Sequence, residues 1–270
     1  MKLKHLSLSL IAACGLATPA FADVPNTTPD NATCVPGNPT SSDNYKAVKW
    51  YRDSAERVAQ YNQTFSIGQE KIAKKVKKDK LKKGQWGVIF DIDDTVLDNS
   101  QYEKDHVYSC EHFTPTTFYA FTESEISTAT PGSVKLTCSI QKMGGKVVFV
   151  TNRDGTFDSK VQQATVDNLK AVGLCFDSVV FSNGEKDSNK TPRFMSIAAG
   201  NYESIIATNK QLKPMKVIAY FGDNIQDFPN IKQSQAIKES PDSSFYDKFG
   251  QEYFSLPNPR YGSWEANQFN

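Results

Sequence analysis

The chain reads as an α/β protein built on a parallel sheet with helices on both faces. Three observations carry this: short apolar runs without alternation, helical periodicity between them, and glycines where helices should turn back into strands. The runs are Trp86 to Phe90, Lys146 to Val150, Ser178 to Phe181 and Val217 to Phe221. A strand covered on both faces needs apolar side chains on both, so an unbroken run replaces the alternation of a half-exposed strand. Pro131 to Met143 and Phe157 to Val172 have helical spacing. Pro131 opens the first where a missing N–H costs little, and Gly144 and Gly173 stand where each helix should stop.

Ahead of the sheet, Tyr45 to Lys83 has helical periodicity, with Trp50, Tyr51, Val58, Tyr61 and Phe65 as its apolar face. The lysine run from Lys71 to Lys83 is punctuated by Ile72, Val76 and Leu81, which makes it a solvated helix face rather than a nucleic-acid patch. A formal charge of +1 with 39% hydrophobic residues places the chain among ordinary globular proteins and argues against a polyanion binder or a disordered chain.

Residues 1–22 read as an export signal. Lys2 and Lys4 begin it, Leu6 to Leu16 is apolar, and Ala20-Phe21-Ala22 offers a small-residue cleavage site. A second reading makes Ile11-Ala12-Ala13-Cys14 a lipobox with Cys14 as the lipidated terminus. The apolar stretch is shorter than the roughly 20 residues that span a bilayer, so no transmembrane span is expected. Residues 23–44, rich in Pro, Asn, Thr and Ser, read as a flexible arm, and 45–270 as the folded domain. The location implied is periplasmic, secreted or outer-membrane associated. Cys34, Cys110, Cys138 and Cys175 then face an oxidising compartment. They allow three pairings; Cys110 with Cys138 is the first candidate because the two are read as flanking one insertion, and a free thiol at Cys175 stays open.

Each of the four apolar runs leads to groups suited to phosphate chemistry. The first delivers Asp91-Ile92-Asp93, and in extended chain Asp91 and Asp93 project to one side. Two crowded carboxylates need a cation or a shared proton. Mg²⁺ would keep Asp91 ionised as the nucleophile while Asp93 keeps a proton for the leaving alcohol. The second run ends at Thr151 and Asn152, a hydroxyl and amides for phosphoryl oxygens. The third leads to Lys190, which can offset charge on phosphate and on Asp91. The fourth delivers Asp223, completing an oxygen-only Mg²⁺ site, with Asp227 behind it. Tyr261 and Trp264 either stack on a substrate or pack a tail onto the core.

Phe90-Asp91-Ile92-Asp93-Asp94-Thr95-Val96-Leu97-Asp98-Asn99-Ser100, Val150-Thr151-Asn152-Arg153, Phe221-Gly222-Asp223-Asn224 and Leu256 to Glu265 resemble the bacterial class C acid phosphatases of the haloacid dehalogenase superfamily. That group includes surface lipoprotein 5'-nucleotidases. The resemblance implies a Rossmann-like core with a small, mainly helical cap, here the insertion at about 101–130. It implies Mg²⁺ held by Asp91, the Asp93 main-chain carbonyl and Asp223. The substrates implied are small phosphomonoesters, nucleoside 5'-monophosphates among them, with no nucleic-acid polymer as partner; a homodimer is left open. Asp94 departs from the Glu common at that position, and Gln101 to Cys110 lacks an expected tryptophan, which touches nucleotide preference. A phosphotransferase and a catalytically weak storage protein of the same fold are the competing readings.

Overall fold

The computed structural model describes residues 33–269; the export signal, Cys14 and most of the arm lie outside them. In chain order the elements are α1 (Tyr45–Asp53), α2 (Ala55–Lys78), β1 (Trp86–Phe90), β2 (Leu97–Asp98), α3 (Ser100–Ser109), α4 (Pro115–Glu123), β3 (Thr128–Ala129), α5 (Ser133–Lys142) and β4 (Lys146–Asp154). They continue with α6 (Ser159–Ala171), β5 (Ser178–Ser182), α7 (Thr191–Ala199), β6 (Ile206–Ala207), β7 (Lys216–Gly222), α8 (Gln233–Ala236) and β8 (Tyr253–Ser255).

One sheet runs β6-β5-β4-β1-β7-β8, parallel except for β6, which pairs antiparallel with β5. Side chains alternate across it. Trp86, Val88, Phe90, Val147 and Phe149 face the larger core with Tyr61, Phe65 and Ile72 of α2, Leu136 and Ile140 of α5, and Leu169 of α6. Ile89, Val148 and Val150 face the other way, onto Phe194 and Ile197 of α7. The four predicted runs are the four central strands, and Gly144 (φ 87°) and Gly173 (φ 82°) occupy the left-handed conformation that glycine tolerates without a Cβ clash.

The helical stretch before the sheet is broken in two. Ser54 leaves the helix, and its hydroxyl accepts from the Arg57 N–H at 3.1 Å to cap α2. Tyr51, Tyr61 and Phe65 are buried as expected, but Val58 is 44% exposed, because the buried stripe of α2 runs through Arg57, Tyr61, Phe65, Gly68 and Ile72 and leaves Val58 at its edge.

The cap is α3 and α4 on a short hairpin, Leu97 opposite Ala129 and Asp98 opposite Thr128. Tyr102 gathers Phe113, Phe118 and Phe121 into a small aromatic core. The helix α3 packs on α1 and α4 on α6, so the cap spans the molecule's working edge.

The disulfides differ from the first candidate: Cys34 bonds Cys110 and Cys138 bonds Cys175. The reason is that β2 and β3 already join the ends of the insertion, leaving Cys110 at the far tip of α3 and Cys138 on α5 against the sheet. Cys34 to Asn44, expected to be loose, is therefore fastened to the cap, and the Gly37 N–H donates to the Tyr108 carbonyl at 2.9 Å. Among the described residues no helix is long and apolar enough to cross a membrane.

Candidate active site

The carboxyl ends of β1, β4, β5 and β7 lie together along one edge of the sheet, and the loops leaving them carry the charged groups. Just past β1, the Asp91 N–H donates to the Phe221 carbonyl at 2.9 Å, which binds this loop to β7. Its buried carboxylate accepts from the Lys190 ammonium on one oxygen. The Thr95 hydroxyl lies between the other oxygen, at 3.2 Å, and Asp223 Oδ1, at 3.1 Å. Lys190 stands at the start of α7 and also pairs with Asp227 Oδ1 at 2.7 Å. Asp227 closes a turn after β7, its Oδ2 accepting from the Asn224 N–H at 2.9 Å.

One carboxylate oxygen each from Asp91, Asp223 and Asp227 lie within 4.8 Å of one another. Burial, and then the charges of Asp227 and Asp93, push the Asp91 carboxyl up to about 7 against the pull of Lys190. Burial together with Asp227, Asp91 and Asp94 raises Asp223 well above the usual carboxylate range. Burial alone would lower Lys190, but Asp227 and Asp91 outweigh it and keep the ammonium charged. A hard, oxygen-only donor set that resists ionisation until it is neutralised fits a small divalent cation, because a cation restores the charged form. Asp227, expected behind the site, belongs to the cluster itself.

Asp93 turns elsewhere. Arg153 reaches it with Nη2 at 2.8 Å and Nε at 3.1 Å, Asn99 Nδ2 at 2.6 Å, and the Thr151 hydroxyl at 3.2 Å. Burial would raise Asp93, yet the charge of Arg153 and its hydrogen bonds, with that of Asn99, hold it below the ordinary carboxylate range. Arg153 thus supplies a counter-charge that favours the carboxylate form of Asp93, where crowding alone would favour a shared proton. Thr151 is wholly buried and its hydroxyl is committed to Asp93, whereas Asn152 is exposed, its side-chain oxygen accepting from Arg193 Nη2 at 2.5 Å.

A cleft of about 860 Å³ opens over these groups. Asp91, Asp93, Lys190 and Asp223 line it, together with His106, Phe113 and Phe118 of the cap and residues 42–44 of the arm. Tyr261 lines it too, with its hydroxyl donating to Asp94 Oδ2. Trp264 is 43% exposed, stands outside the lining residues and donates from its indole to the Tyr261 carbonyl at 3.2 Å.

Residues 31–264 match the family described as HAD superfamily, subfamily IIIB (acid phosphatase). The chain belongs to this subfamily. Among curated relatives, Acid phosphatase 1 of Solanum lycopersicum is 27% identical over 158 residues, 58% of each chain. Vegetative storage protein 1 of Arabidopsis thaliana is 25% identical over 176 residues, 64% of this chain and 54% of that one. The chain thus spans less than two thirds of the length of the curated relatives it matches. The solved class C acid phosphatase of Bacillus anthracis shares the fold, with a TM-score of 0.67 at 24% identity, covering 82% of this chain and 86% of that one.

Several residues that support this site were given no role of their own in the sequence reading. Arg153 and Asn99 hold Asp93, Arg193 braces the Thr151 carbonyl at 2.6 Å, and Arg260 pairs with Asp94. Arg153 directly follows Asn152 at a strand end and Asn99 lies in the same string as Asp93, which were the available signals; Arg193 and Arg260 act across separations that no motif spans.

Proposed function

We propose that the chain is an exported, Mg²⁺-dependent acid phosphatase that hydrolyses small phosphomonoesters through a phosphoaspartate at Asp91. The observation that carries this is the buried Asp91 carboxylate at the tip of β1, paired with Lys190 and within 4.8 Å of Asp223 and Asp227. Asp91 attacks phosphorus and the bond to the leaving oxygen breaks; Asp93 gives that oxygen a proton. Asp93 then takes a proton from the water that attacks the phosphoaspartate, which releases orthophosphate and restores Asp91. Lys190 offsets charge on Asp91 and the phosphoryl group, while Asn152, with Thr151 buried behind it, borders the phosphate position. Asp91, Asp223 and the Asp93 main-chain carbonyl would hold Mg²⁺, with Asp227 beside it. When bound, that ion supplies positive charge against the carboxylates and the phosphoryl oxygens. Because Arg153 favours the ionised form of Asp93, its proton is taken up once substrate is bound, when the negative phosphoryl group beside it disfavours the carboxylate.

Two disulfides support export to an oxidising compartment. The intact mass of the secreted protein distinguishes cleavage after Ala22 from lipidation at Cys14. For the activity, purified protein is assayed on a panel of phosphomonoesters, nucleoside 5'-monophosphates included, with Mg²⁺ and after chelation. Turnover is expected with Mg²⁺, its loss on chelation and recovery on re-addition, and none in Asp91→Asn. Undiminished turnover in that variant would reject the mechanism.

A further inference from the structure

The segment after β8 touches both acidic loops. The Leu256 N–H donates to the Gly222 carbonyl at 2.9 Å, extending the sheet pairing to the edge of the site. Asn258 Nδ2 then donates to Asp223 Oδ2 at 2.8 Å, and its own oxygen accepts from the Arg260 main-chain N–H at 3.1 Å and from Arg260 Nε at 3.2 Å. The Arg260 guanidinium pairs with Asp94 at 2.6 Å, both side chains being 0% exposed, and lies 3.5 Å from the centre of the Tyr51 ring. The Tyr261 hydroxyl donates to the second oxygen of Asp94.

Asp94 passes the restraint on. Its Oδ1 accepts from the Asn99 N–H at 3.0 Å, and Asn99 Nδ2 donates to Asp93 Oδ1 at 2.6 Å. The backbone at Asp94 is left-handed, φ 55°, a conformation that a residue with a Cβ holds only when its surroundings dictate it. A fully buried ion pair is weak evidence for stability, since desolvation cancels much of the attraction. Its value here is geometric. One stretch, residues 258–261, grips Asp223 directly and Asp93 through Asp94 and Asn99.

We infer that Asn258, Arg260 and Tyr261 are positioning residues, a strap that sets the spacing between the loop of Asp91 and Asp93 and the loop of Asp223. The inference rests on the phosphatase reading above for its catalytic consequence, but the strap's hold on Asp223 stands apart from turnover. Partners of this kind, one shell out from a cation's ligands, change affinity or activity by roughly 10- to 100-fold when removed.

The test compares the wild-type chain with Asn258→Ala, Tyr261→Phe, Arg260→Gln and Arg260→Lys, using Mg²⁺ titration calorimetry, kcat and KM on p-nitrophenyl phosphate, and thermal melting. Asn258→Ala is expected to weaken Mg²⁺ binding roughly 10-fold or more. Tyr261→Phe, which removes a single oxygen atom, is expected to lower kcat roughly 10-fold with KM within about twofold, since its restraint acts on Asp93 and not on substrate binding. Arg260→Lys should recover part of what Arg260→Gln loses. Folded Asn258→Ala and Tyr261→Phe variants with wild-type Mg²⁺ affinity and wild-type kcat would overturn the inference, even where the Arg260 variants fail to fold. A raised KM at unchanged kcat in Tyr261→Phe would assign that residue to substrate contact and also overturn its place in the strap. If the wild-type chain binds Mg²⁺ but hydrolyses nothing, the phosphatase reading fails while the calorimetric comparison still decides the strap.

Discussion

Asp91 sits where a carboxylate is costly to ionise, and that cost should be measurable in stability. An unfolded aspartate loses its proton near 3.9, whereas in the cation-free fold Asp91 is pushed up to about 7. A raised folded value means stability that is fully present below the unfolded value and lost as pH rises towards the folded one. Asp91→Asn removes the ionisation and so removes the loss. Melting of chelated protein should therefore show Asp91→Asn more stable than wild type above about pH 7, with the gain shrinking to nothing below about pH 4. A constant difference across that range would mean that burial of the charge is not its source. At this scale much was legible: Asp91, Asp93, Lys190 and Asp223 all follow strand ends and all line one cleft. What stayed hidden is what the side chains pair with. Asp93 finds Arg153 60 residues away and Asp94 finds Arg260 across the whole domain, separations that only the folded topology closes.

Between elements, one tight constraint is the seat of α2 on the sheet. A Cβ at Gly68 would lie 2.4 Å from Phe221 Cζ, and the Phe221 ring is held between those of Phe90 and Phe254, each 4.6 Å away. Alanine would gain about 1 kcal/mol of helix propensity over glycine, but overpacking a ring that cannot move costs about 1–3 kcal/mol. The clash should win. Urea unfolding of Gly68→Ala is expected to show a net loss of stability, and a gain would mean that the ring has room to shift. The central strands were legible because each is a run long enough to carry a pattern. The edge strands β6, of two residues, and β8, of three, are too short to carry one, and the break at Ser54 rests on a single capping hydroxyl.

Across the whole molecule the two disulfides have different duties. Cys34–Cys110 spans 76 residues and Cys138–Cys175 spans 37, so each removes about 2–4 kcal/mol of freedom from the unfolded chain. Cys175 precedes β5, at the end of the sheet opposite the cleft, while Cys34 and Cys110 both line the cleft. Replacing Cys138 and Cys175 together by serine should lower the melting temperature and leave kcat and KM unchanged. Replacing Cys34 and Cys110 together should also raise KM, because residues 42–44 form a wall of the cleft. Equal kinetic effects from both double variants would contradict this division. The pairing could not be read from spacing alone, since it depends on which helix tips the sheet brings together.

The strap after β8 also has a meaning in time. A ribosome produces Asp91 and Lys190 well before Asn258 and Arg260 exist, so the contacts that space the two acidic loops form only after residues 258–260 have been made. A chain halted between Asp223 and Asn258 would carry both acidic loops without the contacts that restrain their spacing.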